Sequence, residues 1–426
     1  MTLTAGAQSS SDNNVSYSGT NSPYSQYGFG ELADQSGGFS RGMNGLGLAF
    51  REHNQVNPLN PASYSAVDSL TFLFDIGVSG SITNFKEGNR KVNARNADFE
   101  YATAAFRAFR HVGVSLGVLP FSNIGYKYSS TDYLSERTVS STETHRGSGG
   151  LHQVYLGVGW QLAKNFSLGV NGSYLWGDID RAITTDFSDN STALRKYYTA
   201  TVNSYKVDLG LQYALPLSKE NQLIVGLTYS PGHKLGADPE TKIISVNSST
   251  SINDTTTCSI SNGLKLPDMF GVGLNFNHKN RLQVGADYQL QTWSKAGFPV
   301  SKDLDDKQMI YAINDDYFAD RHKVTVGGQY CKNEYSRKFL ERVRYRLGAS
   351  YTTPYLKING QDGPKEFSVS AGFSVPIINS WSNRSFLNVS AQWVNQKATD
   401  MIDANTFRIN IGLTFNERWF AKWKVE

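Results

Sequence analysis

From Leu70 to Phe415 the chain alternates apolar and polar residues in segment after segment, the two-residue period of strands that show one apolar face. The last segment is the cleanest: Phe407, Ile409, Ile411, Leu413 and Phe415 interleave with Arg408, Asn410, Gly412, Thr414 and Asn416. The same alternation runs through Phe367 to Ile377, Leu282 to Tyr288, Tyr205 to Tyr213 and Leu70 to Val78. In the segment from Val343 to Tyr351 the polar face carries Arg342, Arg344 and Arg346, a row that no soluble sandwich buries readily, so this face looks onto water. The apolar faces then look onto lipid, as in a membrane barrel.

The pattern predicts strands over 69–82, 98–109, 112–128, 150–162, 166–180, 201–216, 221–233, 264–276, 281–293, 321–331, 342–354, 366–377, 385–396 and 406–416. Each is close to the roughly 9–11 residues that a tilted membrane strand needs. Short connections near Arg110, Ala163, Ser218 and Asn277 interleave with long ones over 129–149, 181–200, 234–263 and 294–320. The expected fold is all-β: a 14-stranded antiparallel transmembrane β-barrel. The even count puts both termini on the short-turn side, which in bacterial outer membranes is the periplasmic one.

Residues 39–64 fit neither period. Gly42, Gly45 and Gly47 permit backbone angles closed to other residues, and the pairs Asn57-Pro58 and Asn60-Pro61, with Ala62 after them, remove donors and restrict their neighbours. Irregular backbone at membrane depth is tolerated only inside protein or beside water, so this stretch is expected as a hatch inside the lumen. The chain then divides into 1–7, the end of a secretory signal with Ala5-Gly6-Ala7 as its cleavage motif; 8–68, an N-terminal segment and hatch; 69–416, the barrel; and 417–426, an aromatic periplasmic tail.

Composition agrees with this picture. The 426 residues include 39 Gly, 23 Tyr and 23 Phe, yet mean hydropathy is negative, because only alternate residues of a barrel strand face lipid. No run of about 18 apolar residues is present. A net charge of +4 without a basic block gives no footing for nucleic acid. Cys258 and Cys331 are expected unpaired.

No catalytic constellation, cofactor motif or metal site emerges. His152 and His322 lack a nucleophile partner, and Asp303, Asp305, Asp306 with Asn314, Asp315, Asp316 lack a calcium-loop spacing. Trp160, Tyr174, Trp176, Tyr213, Tyr229, Trp293, Tyr351 and Trp393 suit the aromatic girdles of a barrel. Trp419, Phe420 and Trp423 are expected along the membrane face or against a partner, and the arginine row is expected to pair with acids of the hatch or of neighbouring strands. In the third strand Gly117, Pro120, Phe121 and Gly125 should interrupt the ladder, since proline offers no donor and glycine permits a bulge.

These pieces, in this order, resemble the long-chain fatty-acid transporter family of outer-membrane barrels, in its Bacteroidetes-type branch. Asn60-Pro61-Ala62 stands where the family's hatch carries an NPA tripeptide. VGVSLGVLPFSNIGYKY resembles its third strand, and Leu266-Pro267-Asp268, Ala286-Asp287-Tyr288 and Trp293-Ser294 resemble further segments. The resemblance implies uptake of a hydrophobic small molecule from outside, with lateral exit into outer-membrane lipid at the interrupted third strand. The inferred inward faces, mostly Gly, Ser, Gln, Asn and Arg apart from Leu73 and Leu119, are more polar than an acyl-chain conduit requires. The second expectation is therefore an accessory barrel that binds other outer-membrane or periplasmic proteins in a secretion or barrel-assembly complex, as some members of that branch do.

Overall fold

The computed structural model describes residues 3–4, 20–134, 139–188, 192–247, 252–303, 309–377, 385–399 and 401–418. Fourteen antiparallel strands wind into a closed barrel. They are β1 Thr71–Glu87, β2 Arg90–Phe109, β3 in two pieces Val112–Pro120 and Ser122–Leu134, β4 Val139–Ala163, β5 Phe166–Phe187, β6 Thr192–Pro216 and β7 Asn221–Ser230. They continue as β8 Met269–His278, β9 Leu282–Gln291, β10 Arg321–Tyr330, β11 Arg344–Thr352, β12 Lys365–Pro376, β13 Phe386–Lys397 and β14 Asp403–Arg418. Each strand pairs with the next, and β14 returns to β1 with Phe407 opposite Ile82 and Ile411 opposite Val78, so the sheet keeps no end strand there.

Alternation places the side chains as the period requires. On β14 Phe407, Ile409, Ile411 and Phe415 are exposed on the lipid side, while Asn410, Thr414 and Asn416 are buried on the lumen side. Leu73 and Leu119 are both buried on the lumen side.

The structure corrects the sequence reading in several places. Strands β4, β5 and β6 run for 25, 22 and 25 residues, more than twice a membrane crossing, so they stand well beyond the bilayer at the long-loop end. The supposed loop 234–263 contains a hairpin, Glu240–Asn247 with Ile252–Ser259, that extends the sheet at β6. A second hairpin, Phe298–Asp303 with Met309–Asn314, lies within 294–320. Neither face of such hairpins meets lipid, so the apolar alternation that marks the barrel strands is absent from them. β14 continues through Glu417 to Arg418, paired with Phe72 and Thr71, so the barrel outlasts the expected boundary at residue 416. Trp419, Phe420 and Trp423 lie outside the described residues.

Trp293 belongs to no girdle. It is fully buried in an apolar cluster at the long-loop end, with Phe29, Phe318 and Tyr355 rings 5.4, 5.4 and 5.1 Å away. Trp160, Tyr174, Tyr213, Tyr229, Tyr351 and Trp393 are exposed on the outer wall, and Trp176 is half-buried against Tyr174. Both cysteines are free thiols.

Candidate functional site: the sealed lumen

Residues 20–70 lie against the inward side chains of the barrel. Their backbone folds into two 3-10 turns, Pro23–Gln26 and Pro61–Ala66, and one α-helical turn, Gly38–Arg41. The segment 39–50 is buried throughout.

The sequence around Asn60-Pro61-Ala62 forms a capped turn. Asn60 takes extended angles and its Oδ1 accepts the Ala62 N–H at 3.1 Å, while Pro61 fills the first turn position, where a missing N–H costs nothing. Asn60 Nδ2 donates to the carbonyls of Leu48 at 2.8 Å and Leu211 on β6 at 3.2 Å, so one amide joins two parts of the hatch to the wall. The wall is cut back to receive it. A Cβ on Gly169 would stand 2.3 Å from the Pro61 carbonyl carbon, and one on Gly210 would stand 2.2 Å from Asn60 Oδ1. Asn57 ties the hatch to itself, donating to the carbonyls of Gly47 at 2.7 Å and Phe50 at 3.1 Å; Pro58 and Ala62 sit in the same folded stretch.

Higher in the hatch, Asn44 and Gly45 both occupy the left-handed region, φ 61° and 83°. That turn aims the Asn44 amide at β11 and β12, where Nδ2 donates to Ser350 Oγ at 2.7 Å and the Ser368 carbonyl at 3.1 Å. The Gly47 and Leu48 N–H groups then donate to Asp287 Oδ2 on β9 at 2.8 and 2.9 Å. Gly42 packs against Arg346, with a Cβ there only 3.2 Å from Arg346 Cβ.

The arginine row is divided. Arg342 precedes β11, in the helical turn Phe339–Arg342, and the neighbouring Val343 is buried rather than lipid-facing; a turn there breaks the period that placed Arg342 on the inward face. Arg344 and Arg346 are inward and buried. Arg344 meets Glu52 of the hatch at 3.3 Å and Glu334 at 3.2 Å. Arg346 donates to Gln329 at 3.2 Å, Asn388 at 3.1 Å, Gln55 of the hatch at 3.5 Å and Ser374. Burial pushes the Glu52 carboxyl upward, and Arg344, His53, Arg346 and the Gln283 hydrogen bond together hold it below its usual value.

A second buried pair escaped the sequence reading. Opposite the Gly77/Val78 step of β1, strand β2 carries one extra residue, so consecutive Glu100 and Tyr101 both turn inward. Glu100 Oε2 lies 2.9 Å from Arg41 Nη2, and the guanidinium carbon sits 5.6 Å from the Tyr101 ring centre. Tyr101 fills the space left by Gly77, Gly412 and Gly38, whose Cβ atoms would each lie within 2.4 Å of it. A bulge inverts the period, and no composition cue marks it. Asp34 of the hatch is close to this pair. Burial raises its pKa, but Lys323 and Arg41 together pull it down to about 2.

The third strand breaks at Phe121, between Pro120 and Ser122. Up to Val118 it pairs with β2, and Gly117 leaves room there for the Tyr155 ring. Beyond that point β3 leaves β2, and its freed edge is taken by the N-terminal segment. Glu31 and Leu32 pair with Asn123 and Ser122, the Ala33 N–H donates to the Phe121 carbonyl at 3.0 Å, and Ser25 Oγ receives the Gly125 N–H at 3.2 Å. On that side the β2 ladder to β3 begins at Ala102, opposite Val118.

Between hatch, seam and apolar cluster lies a cavity of about 320 Å³. Its wall mixes charged groups, Glu31, Asp34, Asp98, Asp208 and Glu366 with Lys206, Arg321, Lys323 and Arg408, with apolar ones such as Leu48, Leu59, Phe85, Phe121, Met269 and Leu356. Such a chamber is amphipathic rather than a purely apolar conduit. Among the described residues no cluster of His, Cys, Asp and Glu could hold a metal.

A family model described as BamG matches residues 4–426. No curated protein matches. Solved structures with the same fold include a Pseudomonas aeruginosa FadL homologue, at 10% identity over 91% of this chain and 99% of that one, TM-score 0.62. The toluene transporters TodX of P. putida, 13% identical with 91% and 100% covered and TM-score 0.61, and TbuX of Ralstonia pickettii, 15% identical with 91% and 99% covered and TM-score 0.60, are similar too. At these identities the likeness is one of fold, that of outer-membrane hydrocarbon transporters.

Proposed function

This chain belongs to the BamG family, and on that footing we propose that it is a closed outer-membrane barrel acting as an accessory subunit, which binds protein partners of an outer-membrane assembly or secretion complex. The observation that carries this reading is the seal. Two buried ion pairs, Arg344–Glu52 and Arg41–Glu100, and the amides of Asn44 and Asn60 fasten the hatch to strands around the barrel. Parting one such pair costs about 3–5 kcal/mol. A hatch held at several such points is suited to permanent closure. In this reading the short-turn end and both termini face the periplasm, and the long hairpins face outward. Affinity isolation of the tagged chain from native membranes in mild detergent tests it. Stoichiometric protein partners are expected, and a barrel that always comes away alone would sink it.

The second reading is passive uptake of a hydrophobic small molecule past a shifting hatch, with exit at the seam. The broken ladder at Pro120–Phe121 favours it, and so does the hydrocarbon transport named for TodX and TbuX. Here Gly42, Gly45, Gly47, Asn57, Pro58, Asn60, Pro61 and Ala62 form the seal, and residues 25–33 are what must leave the β3 edge. Proteoliposomes loaded by this route should take up toluene faster than empty liposomes, and equal rates would exclude it.

A further inference from the structure

The connection from β10 to β11, residues 331–343, differs from the described turns at the short-turn end, those after β2, β4, β6 and β8. It is longer than a turn and internally organised. The Glu341 carboxylate binds Lys332 Nζ at 2.8 Å and accepts from Ser336 Oγ at 2.7 Å, and the Asn333 N–H donates to the Glu341 carbonyl at 3.0 Å. Its other acid, Glu334, is engaged by Arg344. Both negative charges are thus used internally, and the outward face keeps the exposed cations Arg337 and Lys338.

Beside these cations stand three large apolar or aromatic side chains with little cover. Tyr335 is 68% exposed, Phe339 49% and Leu340 70%. They are continuous with the lipid-facing wall: Tyr330 and Tyr345 flank the connection on the outer surface, and Tyr345 donates its hydroxyl to the Leu340 carbonyl at 3.4 Å. Apolar groups continuous with a membrane belt, rimmed by cations and an exposed tyrosine, match the layering of a bilayer interface, where acyl chains give way to phosphates.

We infer that residues 335–340 form an interfacial anchor that binds anionic phospholipid, with Phe339 and Leu340 in the acyl region and Arg337 and Lys338 on headgroup phosphate. Guanidinium suits the phosphate oxygens through paired N–H donors, and the lysine adds a point charge beside it. The site lies outside the lumen, so it stands or falls apart from either reading of the barrel's function.

The test uses the full chain in lipid nanodiscs, with Cys258→Ser and Cys331→Ser and a fluorophore on Leu340→Cys. Quenching by phosphatidylcholine brominated high on its acyl chain is expected, as is retention of phosphatidylglycerol over phosphatidylcholine in native mass spectra. Arg337→Glu with Lys338→Glu should lower phosphatidylglycerol retention by about tenfold. Lys91→Glu with Arg95→Glu, exposed cations at the other end of the barrel, should leave it unchanged. A label that brominated lipid does not quench, or equal retention in the two charge-reversed variants, would overturn the anchor. A label shielded only when a second protein is added would overturn it in favour of a protein-docking face.

Discussion

The Arg344 guanidinium on β11 lies 3.3 Å from the Glu52 carboxylate of the hatch, with both side chains buried. Glu52 also accepts from Gln283 at 2.9 Å and Gln329 at 2.6 Å, so three strands converge on one carboxylate of the plug. Glu52→Gln should destabilise the folded barrel, by less than the roughly 3–5 kcal/mol of an uncompensated buried charge, because Arg344 keeps Glu334 at 3.2 Å and Asn54 of the hatch at 3.4 Å. Urea unfolding in detergent reads this directly. Glu52→Met with Arg344→Met should cost less than the single change.

Asn60→Ala removes a cap, a tie to Leu48 within the hatch and a wall contact to Leu211 together. A lost cap costs about 1 kcal/mol. The larger effect should be local: amide exchange across residues 57–66 accelerates while exchange in the β strands does not. Uniform acceleration across the barrel would refute a role confined to the hatch.

The wall glycines give a paired comparison on one strand. A Cβ at Gly169 would meet Pro61 at 2.3 Å, whereas nothing lies within 4 Å of one at Gly172. Gly169→Ala should therefore displace the Pro61–Ala66 turn and raise its protease sensitivity, and Gly172→Ala should behave as the parent does. Equal behaviour of the two variants would show that the turn does not depend on that cut-back wall.

The hatch ends in a clip that responds to pH. His53 Nδ1 lies 2.6 Å from Asp68 Oδ2, and the Asp68 N–H donates to the His53 carbonyl at 3.1 Å. The hydrogen bond to Asp68 raises the His53 pKa above 6.5. The stabilisation is present in full below that value and is lost as pH rises through the higher folded-state value. Both side chains are half-exposed, so the effect should stay below about 1 kcal/mol. Protection factors at residues 53–68, which correct for the intrinsic pH dependence of amide exchange, should be higher at acidic than at mildly alkaline pH, and His53→Gln should flatten that difference.

The barrel was legible because a period of two is imposed by lipid on every crossing, and fourteen crossings repeat it. What lay beyond the bilayer was not, since the hairpins at 240–259 and 298–314 meet no lipid and lose the alternation, Phe298 packing instead into the apolar cluster beside Trp293. The irregular stretch with Asn60-Pro61 was visible as a place where neither period survives. Its anchors were not, because a hydrogen bond such as Gly47 N–H to Asp287 joins residues far apart in sequence. Asp287 itself was a detectable signal, an acid in mid-strand on the lumen face. Glu100 gave no such signal, because one extra residue in β2 turned it inward against the pattern.

The hatch is made first and satisfied last. Asn44, near the start of the chain, finds partners on β11, β12 and β13, through Ser350, Ser368 and Gln392, and Asp75 of β1 takes the Thr414 hydroxyl of β14. None of those acceptors and donors is in place until the C-terminal strands have been laid down. The hatch's ties to β2, β3 and β6, through Glu100, Asn123 and Leu211, need no late strand, so it can dock in part while the wall is incomplete. The Asn44 amide finds its wall partners only when β11 to β13 arrive, so full plugging and ring closure belong to the same late stage.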